Sequence, residues 1–288
     1  MNILLPGASG FVGRHIAAAL CTEGHHVVPI SRHSGTDFSR MVSVADWLPH
    51  LERIDAVINA AGIIGESGRQ RFEAVHTRAP SALFHACQQA GVRRVLQLSA
   101  LGADASAFSA FHLSKRAADD VLRSLDLEWF VLRPSLIHGR GGKSAELFMR
   151  LARLPRIPVI GDGQQWLQPV HISDVAATVI RSLTSADARQ TLDIVGTETI
   201  TFAEWLQTLR RAQGLSPARF FSVPFPLAMA LARAGRYVPS LLQEENLRML
   251  QAGCRADFRP LARFLGRRPV SADTYLMLPD AASVRSPS

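Results

Sequence analysis

Short, largely apolar runs alternate along this chain with longer stretches whose apolar residues recur at helical spacing. Residues 2–5, 27–30, 56–59, 95–99 and 130–132 form the short runs, which predict parallel strands buried on both faces. Between them, residues 12–21, 71–90 and 114–125 predict helices, and such βα alternation predicts an α/β fold built on a doubly wound parallel sheet. After Pro134 the pattern becomes irregular, with a glycine-rich bend at Gly139, Arg140, Gly141 and Gly142 and a Pro/Gly-rich stretch over 155–163. Further helices are predicted from near Ser173, from near Phe202 and across 225–249. The expected division is a larger unit over 1–183, carrying insertions from about residue 134, and a small C-terminal lobe over 184–288 partly woven into it.

Composition narrows the class. Of 288 residues 47% are hydrophobic and 19% charged, which suits a packed globular chain rather than a disordered one. No apolar run approaches the ~18 residues of a membrane-spanning helix. The net charge is +8, but the basic residues are scattered and almost all arginine, the lysines being Lys115 and Lys143 alone. Without a basic run or a binding module, nucleic acid is not an expected partner. Cys21, Cys87 and Cys254 are too far apart for a metal motif and suit a reducing compartment; no metal site is expected. The first strand starts at residue 2, leaving no room for a signal peptide before it, so a cytoplasmic location is expected.

The run Gly7, Ala8, Ser9, Gly10, Phe11, Val12, Gly13 follows the first predicted strand directly and opens the first predicted helix. In that context Gly7 permits a tight turn, Gly10 lets the backbone approach a pyrophosphate, and Gly13 lets helix and sheet pack closely. Unpaired amides at the helix start attract the phosphates. A Rossmann-type dinucleotide site is therefore expected over the first unit. The second strand ends in Ser31 and Arg32, where a site selecting NAD would usually carry a carboxylate for the ribose hydroxyls. Arg32 can pair with a 2′-phosphate and Ser31 can hydrogen-bond it, so NADP(H) is expected over NAD(H).

Four further motifs follow in order: Asn59, Ala60, Ala61, Gly62; Gln97 through Gly102; Arg133 through Gly139; and Pro169 through Val175. With them, over approximately residues 1–183, the chain resembles the short-chain dehydrogenase/reductase superfamily. The likeness is to its extended or atypical branch of epimerase/dehydratase-like proteins, and within that to the group of the NAD(P)-binding accessory subunit of respiratory complex I. The resemblance implies that residues 59–62 lie beside the adenosine and ribose, that Ser99 polarises a substrate carbonyl, and that Lys115 holds the nicotinamide ribose. It also implies a tyrosine four residues before Lys115, whose pKa the lysine lowers. Position 111 is instead Phe, and the chain's two tyrosines are Tyr237 and Tyr275.

That substitution bears on the chemistry. Reducing a carbonyl needs a proton for the developing alkoxide, and Phe111 has none to give; loss of a positioned acid costs ~10²–10⁴-fold. Phe111 and Lys115 still share a helical face. Lys115 could itself be the acid, if burial lowered its pKa, or a ribose ligand only. His112 adjoins the wrong face. His138 is expected to line the substrate pocket with Ile64, Ser99 and Phe111, and Pro134 and Ser135 to lie at the nicotinamide end, Ser135 either touching the ligand or capping the chain. His171 and Asp174 read as structural, and the pairs Asp119, Asp120 and Glu244, Glu245 as solvated faces. Two functions remain open: an oxidoreductase acting on a small carbonyl-type substrate, or a non-catalytic, nucleotide-sensing scaffold like the complex I subunit. The apolar start of 225–249 suits packing over the cleft, with Phe225, Leu227 and Leu231 in the core and Arg233 and Arg236 in solvent; the alternative is docking onto a protein or membrane surface.

Overall fold

The computed structural model describes residues 1–31, 35–68, 70–234 and 243–271. Its first half alternates β1 (Asn2–Pro6), α1 (Phe11–Thr22), β2 (His26–Ile30), the short α2 (Val44–Trp47), β3 (Ala56–Asn59), α3 (Ala79–Ala90), β4 (Arg94–Leu98), α4 (Ala110–Ser124) and β5 (Glu128–Pro134). The second half runs β6 (Ile137–His138), α5 (Lys143–Ala152), β7 (Arg156–Ile160), β8 (Trp166–Leu167), β9 (Val170–His171), α6 (Ile172–Thr184), β10 (Gln190–Ile194), β11 (Ile200–Thr201), α7 (Phe202–Ala212), β12 (Arg219–Val223), α8 (Phe225–Ala234), α9 (Glu244–Ala252) and α10 (Arg259–Leu265).

Six strands form one parallel sheet in the order β10-β5-β4-β3-β1-β2. The expected doubly wound sheet is therefore present; β1, β3, β4 and most of β5 are buried on both faces, whereas the edge strand β2 is not, with His26 and Pro29 exposed and Val27 and Val28 half-buried. Leu4, Val57, Val95 and Val131 point into one core with Trp47, Leu83, Phe84 and Leu122; Ile3, Leu5, Ile58, Leu96 and Leu132 point into the other with Ile16, Leu20, Val175, Val179 and Leu261. Period-two alternation inside uniformly apolar strands puts side chains on both sides, where helices cover them. The chain leaves β1 for β2 on one side and then crosses to β3 on the other. Such a reversal opens a crevice at the carboxyl ends of β1 and β3, where ligands of open α/β sheets bind.

A third core holds Ile157, Val159, Leu167, Phe202, Trp205, Leu206 and Leu209 together with Ala152. This small lobe draws on chain before and after residue 183, while β10 returns to the main sheet and α10 packs on its face. Asp174, fully buried in α6, accepts from the Val270 amide at 2.7 Å and pairs with Arg267 at 2.7 Å, tying the later chain to α6.

Two expectations are corrected. The predicted helix over 71–90 begins as a π-helical turn, Glu73–Arg78, before α3. Of residues 225–249, the described ones are helical in α8 and the start of α9, residues 235–242 lying outside the described residues; burial of Leu227 and Leu231 is overturned, since they are 52% and 59% exposed, with Phe225 only partly buried. Met229 instead turns inward, at 7% exposure. An i, i+4 spacing puts 227 and 231 on one face of α8, and that face looks to solvent. Arg233 is exposed as expected, but paired with Glu244 at 2.9 Å; Arg236 lies outside the described residues. No described helix is long and apolar enough to cross a membrane.

Candidate functional site

The nucleotide end is built where β1 meets the loop after β3. Gly7 has φ +83°, and a side chain there would meet the carbonyl of Ala60 and the amide of Ala61 at 2.6 Å. A Cβ on Gly13 would lie 2.1 Å from the Gly7 carbonyl oxygen, whereas one on Gly10 would meet only that oxygen, at 3.2 Å. Gly7 and Gly13 thus hold strand, loop and helix in contact, and Gly10 faces open space. Gly10 caps α1 without a side-chain bond, and no acidic residue stands in the first turn, so the amide end of the helix is left for an anion. Ser9 holds Arg14 through its carbonyl at 2.8 Å, Phe11 is half-buried against Gly139 and Gly142, and Val12 packs inward on the sheet.

Across the crevice, Asn59 Nδ2 donates to Gln97 at 2.7 Å while its Oδ1 accepts from the Ala61 amide at 3.1 Å. This bends Ala60, Ala61 and Gly62 toward the glycine loop. These residues fit a dinucleotide: a cradle that side chains would fill beside an uncapped helix start. Ser31 is half-buried at the end of β2, and Arg32 lies outside the described residues. Ser135 gives its hydroxyl to the Gln168 carbonyl at 2.5 Å, and the Pro134 carbonyl accepts from Leu101 at 2.9 Å, so both join loops at the end of β5.

At the other end of the crevice Phe111, Phe72 and Ala100 form a small apolar wall with Ile63, Ile64 and Met249. His76, fully buried on the π turn, stacks on Phe72 at 5.2 Å and meets the Phe111 ring edge-on at 5.3 Å. Its Nε2 accepts from the Ile63 amide at 3.0 Å, leaving Nδ1 to donate to Ser114 Oγ, also at 3.0 Å. Burial, and then the neighbouring Lys115 cation, holds His76 well below the usual imidazole range, so it is neutral. It is a packing and hydrogen-bonding group for the start of α4.

Lys115 is buried beneath this wall. Its ammonium donates to the Leu98 carbonyl at 2.8 Å and to Ala61 at 3.3 Å, and lies 3.3 Å from where a Cβ of Gly62 would stand. Burial lowers it to about 8, against the pull of Asp119 one turn on. Ser99, at the end of β4, donates its hydroxyl to Asp119 Oδ2 at 2.5 Å. Asp119 is not on a solvated face as expected: it is completely buried, and burial raises its carboxyl to about 7 despite the Ser99 bond and the Lys115 charge. Glu245 is corrected too, since its carboxylate accepts the Phe111 amide at 3.2 Å. Beside it Asn246 donates to the Ile64 carbonyl at 2.9 Å, so α9 closes one side of the wall.

Asp119 was legible in principle, since 111, 115 and 119 fall at i, i+4 and i+8 on one face of α4. His76, Glu245 and Asn246 come from distant chain, and no local signal marks them. His138 is buried, its ring packs edge-on to His171 at 5.1 Å and Trp205 at 5.2 Å, and burial pushes it down to about 4. These contacts set it against β9 and the small lobe.

The sequence profile of the NAD dependent epimerase/dehydratase family matches residues 3–195, more than half of the chain. The chain belongs to this family. Among this family member's relatives, a protein named ceramide reductase from Caulobacter vibrioides is 30% identical over 190 residues, covering 62% of this chain and 59% of that one. Subunit 9 of the NADH dehydrogenase [ubiquinone] 1 alpha subcomplex, from Arabidopsis thaliana mitochondria, is 27% identical over 246 residues, covering 78% and 61%. The chain thus spans about three fifths of the length of these relatives. The human epimerase family protein SDR39U1, solved with NADPH, superposes with a TM-score of 0.76 over 96% of this chain and 98% of that one, at 20% identity. That likeness speaks for the fold, a Rossmann-type α/β architecture.

Proposed function

We propose that this family member is a nicotinamide-dependent oxidoreductase that uses NADP(H) to reduce a carbonyl compound with an apolar body. The observation that carries the reading is Lys115. Burying an ammonium ion is costly unless it is compensated, and here it is held by two backbone carbonyls at the end of the nucleotide crevice. A lysine kept there at that cost suits a ligand site better than a packing role. Bound cofactor would supply the hydride. Gly7, Gly10 and Gly13 would receive its pyrophosphate, Ala60 to Gly62 its adenosine and ribose, and Lys115 its nicotinamide ribose. Phe72, Phe111, Ile63, Ile64 and Met249 would exclude water and receive the apolar part of the substrate. Ser31 and Arg32 support the preference for NADP(H), and three free cysteines support a reducing, cytoplasmic location.

The test is titration of the protein with NADPH and NADH, followed by single-turnover oxidation of bound NADPH against aliphatic and aromatic ketones. A charge-assisted contact to the 2′-phosphate predicts a roughly ten- to hundredfold preference for NADPH. Equal affinities would remove the NADP reading, and tight binding without any turnover would favour the second function, a nucleotide-binding scaffold. That second reading draws support from the outward-facing Leu227 and Leu231 of α8, which suit docking onto a protein or membrane surface.

A further inference from the structure

Ser99 Oγ and Asp119 Oδ2 lie 2.5 Å apart, and which oxygen carries the shared hydrogen decides what Ser99 can do in reduction. With Asp119 ionised, the serine hydrogen is engaged by the carboxylate and Ser99 can only accept from a ligand. The bond reverses if Asp119 carries the proton. A carboxyl O–H then donates to Ser99 Oγ, and the serine hydrogen is free for another acceptor; Ala100, the next residue, belongs to the Phe111 wall.

We propose that Asp119 is a positioning residue that stores a proton for Ser99 and thereby stands in for the hydroxyl missing at Phe111. The proposal rests on the oxidoreductase reading above. A bound reduced nicotinamide would supply the hydride to the carbonyl carbon. Ser99 would then pass its proton to the carbonyl oxygen and take the proton of Asp119, leaving an alcohol, an oxidised nicotinamide and an Asp119 carboxylate; one proton from solvent would restore the carboxyl when the alcohol leaves.

Three features of the geometry favour this. Asp119 is completely buried, and among the described residues its Oδ1 has no hydrogen-bond partner, as suits a neutral carboxyl better than an ion. Lys115, one turn away, stabilises the carboxylate when it forms. The charged groups acting on Asp119 are Lys115, Asp120 and Arg123 of its own helix, with the Ser99 hydroxyl reaching it from β4; His76, from the turn packed on α4, acts on Lys115 and is neutral. Burial outweighs their combined effect and raises the carboxyl above the usual carboxylate range.

The experiment follows carboxyl carbons of ¹³C-aspartate in the full chain with NADPH bound, across pH, in the native protein and in Asp119→Asn and Ser99→Ala. One carboxyl should titrate near neutrality, vanish in Asp119→Asn, and move to higher pH in Ser99→Ala, which removes a bond to the ionised form. An Asp119 that is ionised throughout that range overturns the proposal, as does an unmoved midpoint in Ser99→Ala. In a second arm, single-turnover NADPH oxidation by 2-decanone should fall about tenfold per pH unit above that midpoint. It should drop roughly 10²–10⁴-fold and lose its pH dependence in Asp119→Asn. A pH-independent native rate overturns the relay. A carboxyl that titrates as expected while neither 2-decanone nor any other ketone consumes NADPH overturns the oxidoreductase reading and supports the proton store alone.

Discussion

The amide of Phe111 donates to the carboxylate of Glu245 at 3.2 Å, joining positions 134 residues apart. Ser109 caps α4 and takes the His112 amide at 3.1 Å, so the Phe111 amide, one of the helix's unpaired donors, is satisfied by the C-terminal lobe. Glu245→Ala should cost about 1 kcal/mol and Glu245→Gln less, since the amide oxygen still accepts. Denaturant melts give the cost, and faster hydrogen exchange at the Phe111 amide in the alanine variant checks the cause.

Phe111→Tyr should preserve the fold, because one oxygen is added to a ring at the crevice wall, and should raise the rate of NADPH oxidation. Restoring a positioned acid can return up to roughly 10²–10⁴-fold. A variant that folds and binds NADPH yet gains nothing on a ketone that the native protein reduces defeats the missing-tyrosine argument.

Stability should depend on pH through Asp119. Its folded pKa is raised, by burial, from 3.8 to about 7, so the folded state binds more protons than the unfolded state between those values. Stability is then fully present below the unfolded value and is lost as pH rises toward the folded one. Asp119→Asn lacks this loss. It should match the native protein near pH 3.8 and exceed it increasingly as pH rises toward neutrality. Melts at a series of pH values decide it; a constant difference would mean the carboxyl is ionised inside the fold.

Gly13→Ala should destabilise the protein by at least about 1–3 kcal/mol and abolish nucleotide binding. A Cβ 2.1 Å from the Gly7 oxygen forces the helix from the loop that would hold the pyrophosphate. Gly10→Ala, at 3.2 Å from the same oxygen, should fold nearly as well and lose affinity only where the cofactor comes close. Thermal melts with and without NADPH separate the two effects.

Cysteines placed at 227 and 231, in a background lacking the native thiols, should label rapidly, and one at 229 slowly. Leu227→Ser with Leu231→Ser should leave stability within about 0.5 kcal/mol of native, as exposed positions do. Slow labelling at 227 and 231 would return those side chains to a core.

Local rules carried much of the reading. The sheet was legible because a strand buried on both faces must be apolar at every position, and helices returning between such strands leave little choice but parallel order. Gly7 and Gly13 were legible because a left-handed turn at Gly7 and the approach of Gly13 to the Gly7 carbonyl disfavour side chains, both acting within seven residues; the collision of a Gly7 side chain with Ala60 and Ala61 is set by the loop after β3. Tertiary structure decided what depends on partners remote in sequence. Asp119 looks like half of a solvated pair until β4 brings Ser99 over it, and Glu245 looks like half of another until α9 lies against α4. Leu227 and Leu231 carry a core-like pattern, but Met229 is the side chain of that stretch which packs inward. Hydrophobic spacing states that a helix has an apolar face; which face finds a neighbour is set by the rest of the chain.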